Sequence, residues 1–415
     1  MIPSASMKSE TNIKLPISFI VYALVAFVAS QFILFLNSSE LLVGQFRIPD
    51  IWMSAHFLLL GFAVMVAMGA MYQLVPVAFL TPIWNETFGF IQFFVTAIGI
   101  TLLTVLLGVK PSLAIYGGII TVIGVFMFII QMTLTLMKRE QKNTMLYFVA
   151  GAITCFLLTV IAGLLLVWNI ASATIESHEP ILFSHIALGV AGWFTMLIFG
   201  FSYKLVPMFS LSHGFSMRWA KLAFSSYIGG LVILIISFWI DIDFLRTIGW
   251  FMLALAFTLF VLDMKEILQK RVKKKLDKPF SFSLLAIVNG FIIHLVAFFA
   301  SLFGVTHTTF WSWLIFLYVM TWIIFSILGY LYKIVPFLWW TYKYAGKIGK
   351  ETVPTLKEMI NEKLSVYLFV IFTISIIAII VSVSVQLGGL LFIFLGVLSI
   401  TSLVYALSIV RVLMM

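Results

Sequence analysis

The sequence predicts an all-α integral membrane protein with twelve transmembrane helices, and its composition and its apolar runs lead to this prediction. Of the 415 residues, 63% are hydrophobic and only 10% are charged. Apolar runs of roughly 18 residues or more recur along the chain, and each is long enough to cross the hydrocarbon core as a helix. Only helices and closed barrels satisfy backbone polar groups in lipid, and these runs are too long and continuous for barrel strands.

The first apolar run exceeds the core of a signal peptide and lacks a convincing small-residue cleavage site, so it is interpreted as a retained helix. Eleven further runs follow it, separated by polar, charged or proline-containing connections. The predicted spans are approximately 16–37, 51–79, 86–108, 112–137, 144–169, 180–208, 217–240, 243–267, 280–304, 308–340, 362–386 and 388–411.

Basic residues concentrate on alternate connections between these spans, while the intervening connections carry acids or no charge. The positive-inside rule places such connections in the cytoplasm, so both termini are predicted to be cytoplasmic. The net charge of +10 follows from this orientation and does not indicate nucleic-acid binding. The basic residues are Lys138, Arg139 and Lys142, then Lys265, Lys270, Arg271, Lys273, Lys274 and Lys275, and then Lys343, Lys347, Lys350 and Lys357.

A sequence motif, Gly-x-x-Tyr-x-x-Val-Pro, occurs three times, at the predicted cytoplasmic ends of spans two, six and ten. Its prolines are 131 and 129 residues apart, and each cannot continue a helical hydrogen-bond ladder. The chain is therefore predicted to contain three related four-helix repeats, at about 1–142, 143–278 and 279–415. The copies are Gly69, Tyr72, Val75 and Pro76; Gly200, Tyr203, Val206 and Pro207; and Gly329, Tyr332, Val335 and Pro336.

Two histidines occupy nearly equivalent places in the first two repeats. His56 lies 20 residues before its motif proline and His185 lies 22 residues before its own. A helix rises about 1.5 Å per residue, so both are expected in the outer half of the membrane. A histidine in lipid marks function by default and faces the bundle interior. A single hydrogen bond to a neighbouring helix, or a water-filled outer vestibule, is the alternative explanation.

Neutral imidazole is a common ligand of haem iron, copper and zinc. The only cysteine, Cys155, excludes a disulfide within the chain and a CxxCH attachment site for covalent haem. Two histidines on separate helices favour a non-covalent b-type haem, with His56 and His185 as axial candidates. His294, in the ninth span, and Met320, in the tenth, are weaker ligand candidates. The remaining histidines, His178, His213 and His307, are predicted to be interfacial.

The twelve helices, cytoplasmic termini, three four-helix repeats and outer-half histidine of span two resemble subunit I of the haem-copper oxidase superfamily. That superfamily includes cytochrome oxidases and nitric oxide reductases. The chain is also similar to NnrS-type membrane proteins, which contain haem and copper and have twelve helices. The resemblance implies that His56 matches the helix-two ligand of low-spin haem. It also implies that His185 falls near the helix-six ligand of copper.

The sequence departs from the superfamily in ways that bear on catalysis. The tenth span, 308–340, contains no histidine, whereas members carry two haem-ligating histidines there. The adjacent copper-ligating histidines are missing, because only His213 precedes the seventh span. Gly189 follows His185 by four residues, where many oxidases have a tyrosine. The usual haem-copper centre therefore cannot be assembled, and oxygen or nitric oxide reduction by the usual mechanism is not expected.

The acidic residues that could serve a proton pump are placed near the cytoplasmic ends of their helices and are predicted to be interfacial. They are Glu86, Asp263 and Glu266.

Two function classes remain open from the sequence. The first is an oxidase-like haem protein of the cytoplasmic membrane that transfers electrons, responds to a diatomic gas or handles haem. The second is a transporter or assembly factor for copper, haem or a small solute, without a redox cofactor. A scaffold that kept the fold and lost its chemistry is a third possibility. The lipid bilayer is the expected environment, and a redox or assembly partner subunit is compatible with either class.

Overall fold

The computed structural model describes residues 11–140 and 144–415, which form helices joined by mostly short connections. Within these residues, twelve helices are long and apolar enough to cross a membrane, which confirms the predicted number. They are α1 (Lys14–Leu36), α2 (Pro49–Phe79), α3 (Glu86–Val109), α4 (Pro111–Met137), α5 (Met145–Ser172), α6 (His178–Ser210), α7 (Ala220–Ile240), α8 (Asp243–Gln269), α9 (Lys278–Leu302), α10 (Thr308–Lys347), α11 (Glu362–Ser384) and α12 (Gly388–Met414).

The predicted limits agree with these helices to within three residues, except at the end of α10. That helix was predicted to end near residue 340, and it runs on to Tyr344 and then through a short 3₁₀ turn. Pro336 therefore lies inside α10, whereas Pro76 and Pro207 are each three residues from the end of their helix. Lys142, one of the basic residues behind the predicted orientation, lies outside the described residues.

The described residues divide into two compact units. Among the described residues, unit one comprises 11–140 and Leu331–Met415, and unit two comprises 144–330. Unit one therefore contains α1 to α4, the last part of α10, α11 and α12. Unit two contains α5 to α9 and the first part of α10. The division falls inside α10, immediately after Tyr330.

In unit one, α3 and α4 approach each other through glycines. A Cβ atom on Gly117 of α4 would lie 2.5 Å from Leu103 Cα and 2.7 Å from the Leu102 carbonyl carbon of α3. Gly99 of α3 is equally close to the backbone of α4 at Thr121. Helices in lipid associate by van der Waals packing, and small residues allow their backbones to come close. These glycines therefore determine how closely the two helices approach each other.

In unit two, aromatic rings around Phe199 of α6 form the core. Phe199 stacks on Phe260 of α8 with ring centroids 3.9 Å apart, and it meets Phe257 edge-on at 4.9 Å. Tyr227 of α7 approaches the same ring at 5.5 Å. These rings are buried, so α6, α7 and α8 share one aromatic core.

Hydrogen bonds within the connection between α10 and α11, and from the end of α10 to it, fix its conformation. Trp340 Nε1 donates to the carbonyl of Pro354 at 2.6 Å. The backbone N–H and the hydroxyl of Thr355 both donate to the carboxylate of Glu358, at 2.7 and 3.0 Å. These donors favour the ionised carboxylate and hold the pKa of Glu358 below its usual value.

Candidate functional site

Three helices, α2, α6 and α10, change from α-helical to π-helical hydrogen bonding in their middle. The π-helical segments are Phe57–Val64, Ala187–Thr195 and Tyr318–Ile324. Each of them ends twelve residues before the motif proline of its helix. π-Helical turns are rare and occur frequently at functional sites. The hydropathy pattern gave no sign of these segments, because hydropathy does not report the hydrogen-bond register.

The motif glycines allow a close contact with the helix that precedes each motif helix. A Cβ on Gly69 would lie 2.8 Å from Phe19 Cβ of α1, and a Cβ on Gly200 would lie 2.8 Å from Phe148 Cβ of α5. A Cβ on Gly329 would lie closer still to its neighbour, the Ser283 hydroxyl oxygen of α9. Each motif glycine therefore marks a helix crossing in which a larger side chain would require the neighbour to shift.

The motif tyrosines are buried and bond to polar side chains. Tyr72 donates to Gln92 Oε1 of α3 at 3.0 Å, and the hydroxyls of Tyr332 and Ser408 of α12 are hydrogen-bonded at 2.7 Å. The motif proline stands four residues after the tyrosine and has no N–H, so it leaves the tyrosine carbonyl without its helical donor. In the first motif the hydroxyl of Thr11 donates to the Tyr72 carbonyl at 3.1 Å.

The second motif tyrosine has a carboxyl group as its partner. Tyr203 donates to Asp263 Oδ2 of α8 at 2.9 Å, and the backbone N–H of Trp219 donates to Oδ1 at 3.3 Å. The sequence placed Asp263 near a helix end as an interfacial acid. In the structure its side chain is inside unit two and the residue is 1% exposed, so it holds α6, α7 and α8 together.

Tyr203→Phe is expected to destabilise the protein by about 1–3 kcal/mol, because a buried carboxyl group loses a hydrogen-bond donor. The measurement is the unfolding transition of the purified protein in mixed detergent micelles. Tyr332→Phe is the matched control, since the same substitution there removes a bond between two uncharged hydroxyls. If Tyr203→Phe lowered the stability of the protein no more than Tyr332→Phe does, this account of Asp263 would be contradicted.

His56 is the last residue before the π-helical segment of α2. Its Nδ1–H donates to the carbonyl of Trp52, one turn earlier, at 2.7 Å. A carbonyl oxygen can only accept, so Nδ1 carries the proton in this bond and Nε2 carries the lone pair. The residue is half-buried.

His185 lies two residues before the π-helical segment of α6. Its Nδ1–H donates to the carbonyl of Thr159 of α5 at 2.9 Å, which again leaves the lone pair on Nε2. The ring rests against Gly163, where a Cβ atom would lie 2.9 Å from His185 Cε1. A glycine on α5 is therefore needed for the observed position of this imidazole.

His294 of α9 is fully buried and both of its ring nitrogens are hydrogen-bonded. Nδ1–H donates to the carbonyl of Gly290 at 2.7 Å, and Nε2 lies 3.2 Å from the hydroxyl of Tyr227. Ligation of a metal by Nε2 would therefore break the bond to Tyr227. Sequence reasoning identified His294 but not its partner, which is 67 residues away.

Of the other candidates, Met320 is fully buried inside the π-helical segment of α10. His213 and His307 are exposed, and His178 is half-buried beside Asn169, whose amide lies 3.2 Å from His178 Nδ1. In residues 11–140 and 144–415, no three His, Cys, Asp or Glu side chains come together in a group that could hold a metal ion.

No protein-family model matches this chain, and no curated protein matches its sequence.

Proposed function

We propose that this protein is an oxidase-like integral membrane protein that binds a non-covalent b-type haem, with His56 and His185 as axial ligand candidates. The observation that carries the proposal is common to both residues. Each precedes a π-helical segment in the middle of a membrane helix, and each donates Nδ1–H to a backbone carbonyl. Histidines that bind metals almost always make such a bond, which fixes the tautomer and raises the basicity of Nε2.

Within unit one, the Trp52 carbonyl orients His56, and within unit two, the Thr159 carbonyl and Gly163 orient His185. These residues fit haem iron, because a neutral imidazole nitrogen is its usual protein ligand. The iron would supply reversible one-electron chemistry or a binding position for a diatomic gas. The sharing of one haem by both histidines stays a prediction from the sequence.

A threefold internal repeat is part of the same proposal. Each of the three π-helical segments ends twelve residues before the motif proline of its helix. Each of the three motif glycines contacts the helix that precedes its own. The alternation of basic connections supports cytoplasmic termini. The Gly-x-x-Tyr-x-x-Val-Pro motif is then a structural element of each repeat, distinct from the ligand candidates.

The experiment that tests haem binding is the dithionite-reduced minus air-oxidised absorption spectrum of the purified protein, with haem quantified as its pyridine complex. The expected result is a Soret band and a sharp α band of a b-type haem. A protein that stays colourless after expression with added haem would overturn the proposal. That outcome would favour a transporter or an assembly factor. Measuring the uptake of metal or solute into vesicles would test this second class.

Gly163→Ala is expected to weaken axial ligation by His185, because the new methyl group would stand 2.9 Å from Cε1 and push the ring off the Thr159 carbonyl. The measurement is the reduced spectrum, in which the low-spin α band should weaken. Gly389→Ala is the control, since no atom lies within 4 Å of the new methyl group there. An unchanged spectrum in Gly163→Ala would show that the ring position does not depend on this glycine.

A further inference from the structure

Two connections of unit two, α6–α7 and α8–α9, are joined by backbone contacts. The N–H of Val272 donates to the carbonyl of Leu211 at 3.1 Å. Beside this bond, Ser212 and Arg271 pair as an isolated antiparallel bridge. The α8–α9 connection is therefore held against the α6–α7 connection, just beyond the ends of α6 and α8.

The carboxylate of Glu266, near the end of α8, ties the same two connections together. It accepts from the backbone N–H of Ser216 at 3.1 Å and from the Ser216 hydroxyl at 2.7 Å. It also accepts from Lys270 Nζ at 2.8 Å. Residues 211–219 and 270–277 therefore form one surface at this end of unit two, the joined surface.

The α8–α9 connection gives the joined surface an excess of positive charge. It contains five basic residues and one acid, Asp277. The acid forms an ion pair with Lys273 at 2.8 Å. Lys274 and Lys275 are exposed, and neither has an ion pair or a hydrogen-bond partner among the described residues. Two consecutive ammonium groups are thus available to an external anion.

Arg271 supplies a third cation in the same segment. Its guanidinium donates one N–H to the carbonyl of Leu268 at 2.8 Å. A guanidinium has five N–H donors, and this residue is exposed, so the remaining donors can bind an anion. The bridge between Ser212 and Arg271 fixes the backbone from which this side chain extends.

Exposed apolar side chains stand beside these cations. Val272, directly after Arg271, is 67% exposed, and Leu211, to which its N–H is bonded, is 52% exposed. Met208, in the last turn of α6, is 39% exposed. Dissolved phosphate would leave these side chains in water. A phospholipid carries hydrocarbon next to a charged headgroup, so it matches the cations and the apolar side chains together.

The joined surface lies where phospholipid headgroups are expected. The helices α6, α7, α8 and α9 all end or begin at it, and each is long and apolar enough to cross the hydrocarbon core. Lysine and arginine at the ends of such helices keep their charged groups in the headgroup region. In the proposed orientation of the chain, this region belongs to the cytoplasmic leaflet.

We propose that the joined surface binds an anionic phospholipid. Arg271, Lys274 and Lys275 bind the phosphate group, and Val272 and Leu211 contact the apolar part of the lipid. Cations held near a membrane surface attract anionic lipids by their Coulomb interaction. The proposal does not depend on haem, so the same test applies to a colourless protein.

The test is native mass spectrometry of the protein in mixed micelles, titrated with phosphatidylglycerol or with phosphatidylcholine. The measured quantity is the dissociation constant of the first lipid that binds. The wild type should bind phosphatidylglycerol more tightly. Lys274→Gln/Lys275→Gln should weaken that binding by about fivefold for each charge removed and leave the binding of phosphatidylcholine unchanged. Lys274→Arg/Lys275→Arg should retain the preference, because both charges are kept.

Lys350→Gln/Lys357→Gln in the α10–α11 connection of unit one is the matched control. Both lysines are exposed and have no side-chain partner among the described residues. Each is followed directly by an acid, Glu351 or Glu358, so the local excess of positive charge is small. This variant loses the same net charge and should bind the first phosphatidylglycerol as the wild type does.

Two further measurements separate a lipid from a free anion. Val272→Ser keeps every charge and should weaken the binding of phosphatidylglycerol by about threefold, because apolar contact is lost. Inorganic phosphate should displace no more lipid than sodium chloride of equal ionic strength, since both then act only by screening. Specific displacement by inorganic phosphate would overturn the assignment to a lipid.

Two results would overturn the site itself. One is equal affinity of the wild type for phosphatidylglycerol and phosphatidylcholine. The other is an equal loss of affinity in the two glutamine double variants, which would show a general attraction that depends only on net charge. The substituted side chains are all exposed, so equal unfolding temperatures are expected and would show that the losses do not arise from misfolding.

Discussion

Replacement of His185 or His56 by alanine is expected to abolish the low-spin haem spectrum. If both imidazoles are axial ligands, either variant leaves the iron with a single protein ligand, and the sharp α band should be lost or replaced by high-spin features. The measurement is the reduced-minus-oxidised spectrum together with the haem-to-protein ratio. Added imidazole should partly restore the low-spin spectrum, because it can enter the space that the side chain leaves.

Two other histidines supply the controls. His307→Ala removes an exposed imidazole at the start of α10 and should leave the spectrum unchanged. His294→Gln should also retain the haem, because both ring nitrogens of His294 are bonded to protein groups. A wild-type spectrum in both His56→Ala and His185→Ala would exclude them as axial ligands. Loss of haem only in His294→Gln would move the ligand to α9.

Gly117→Ala is expected to cause the largest loss of stability among single methyl additions, about 3 kcal/mol. The new Cβ would stand 2.5 Å from Leu103 Cα. A backbone atom cannot rotate away as a side chain can, so α3 and α4 would have to separate. Separation would also disturb the neighbouring contact of Gly99 with α4. The measurement is equilibrium unfolding in mixed micelles, with the helical circular dichroism as the signal.

Gly389→Ala provides the comparison for this prediction. Gly389 lies near the start of α12, with no atom within 4 Å of its would-be Cβ. Alanine is the better helix former by about 1 kcal/mol, so this variant should be as stable as the wild type or slightly more stable. If Gly117→Ala and Gly389→Ala were equally stable, α3 and α4 could move apart without a loss of folding free energy.

The number and limits of the helices were predictable because hydropathy is a property of consecutive residues. A run of apolar residues ends where polar residues begin, and the lipid core requires a minimum length. The end of α10 is the exception, since Trp339, Trp340 and Tyr342 continue the helix beyond Pro336 at residues that resemble a membrane interface. The apolar run itself continues for four residues after Pro336, so the proline ended neither that run nor the helix.

The candidate site was predictable only in part. The spacing of His56 and His185 from their prolines indicated two equivalent residues, but their carbonyl partners depend on how the helices pack. Asp263 illustrates the limit. Its position suggested an interfacial acid, and only the approach of α6 and α7 supplies the donors from Tyr203 and Trp219. Tyr227 was not predicted as the partner of His294, because the two residues are 67 apart in the sequence.

The π-helical segments also bear on how such a chain can change during evolution. A π turn holds more residues than an α turn, so each segment is equivalent to one residue inserted into an otherwise regular helix. Deleting that residue would restore the regular helix and rotate everything before it by about 100° relative to the motif. In α6 this would carry His185 to another side of the helix without altering a single side chain. The π-helical segment therefore sets the direction of the imidazole, and the loss of one codon could change that direction.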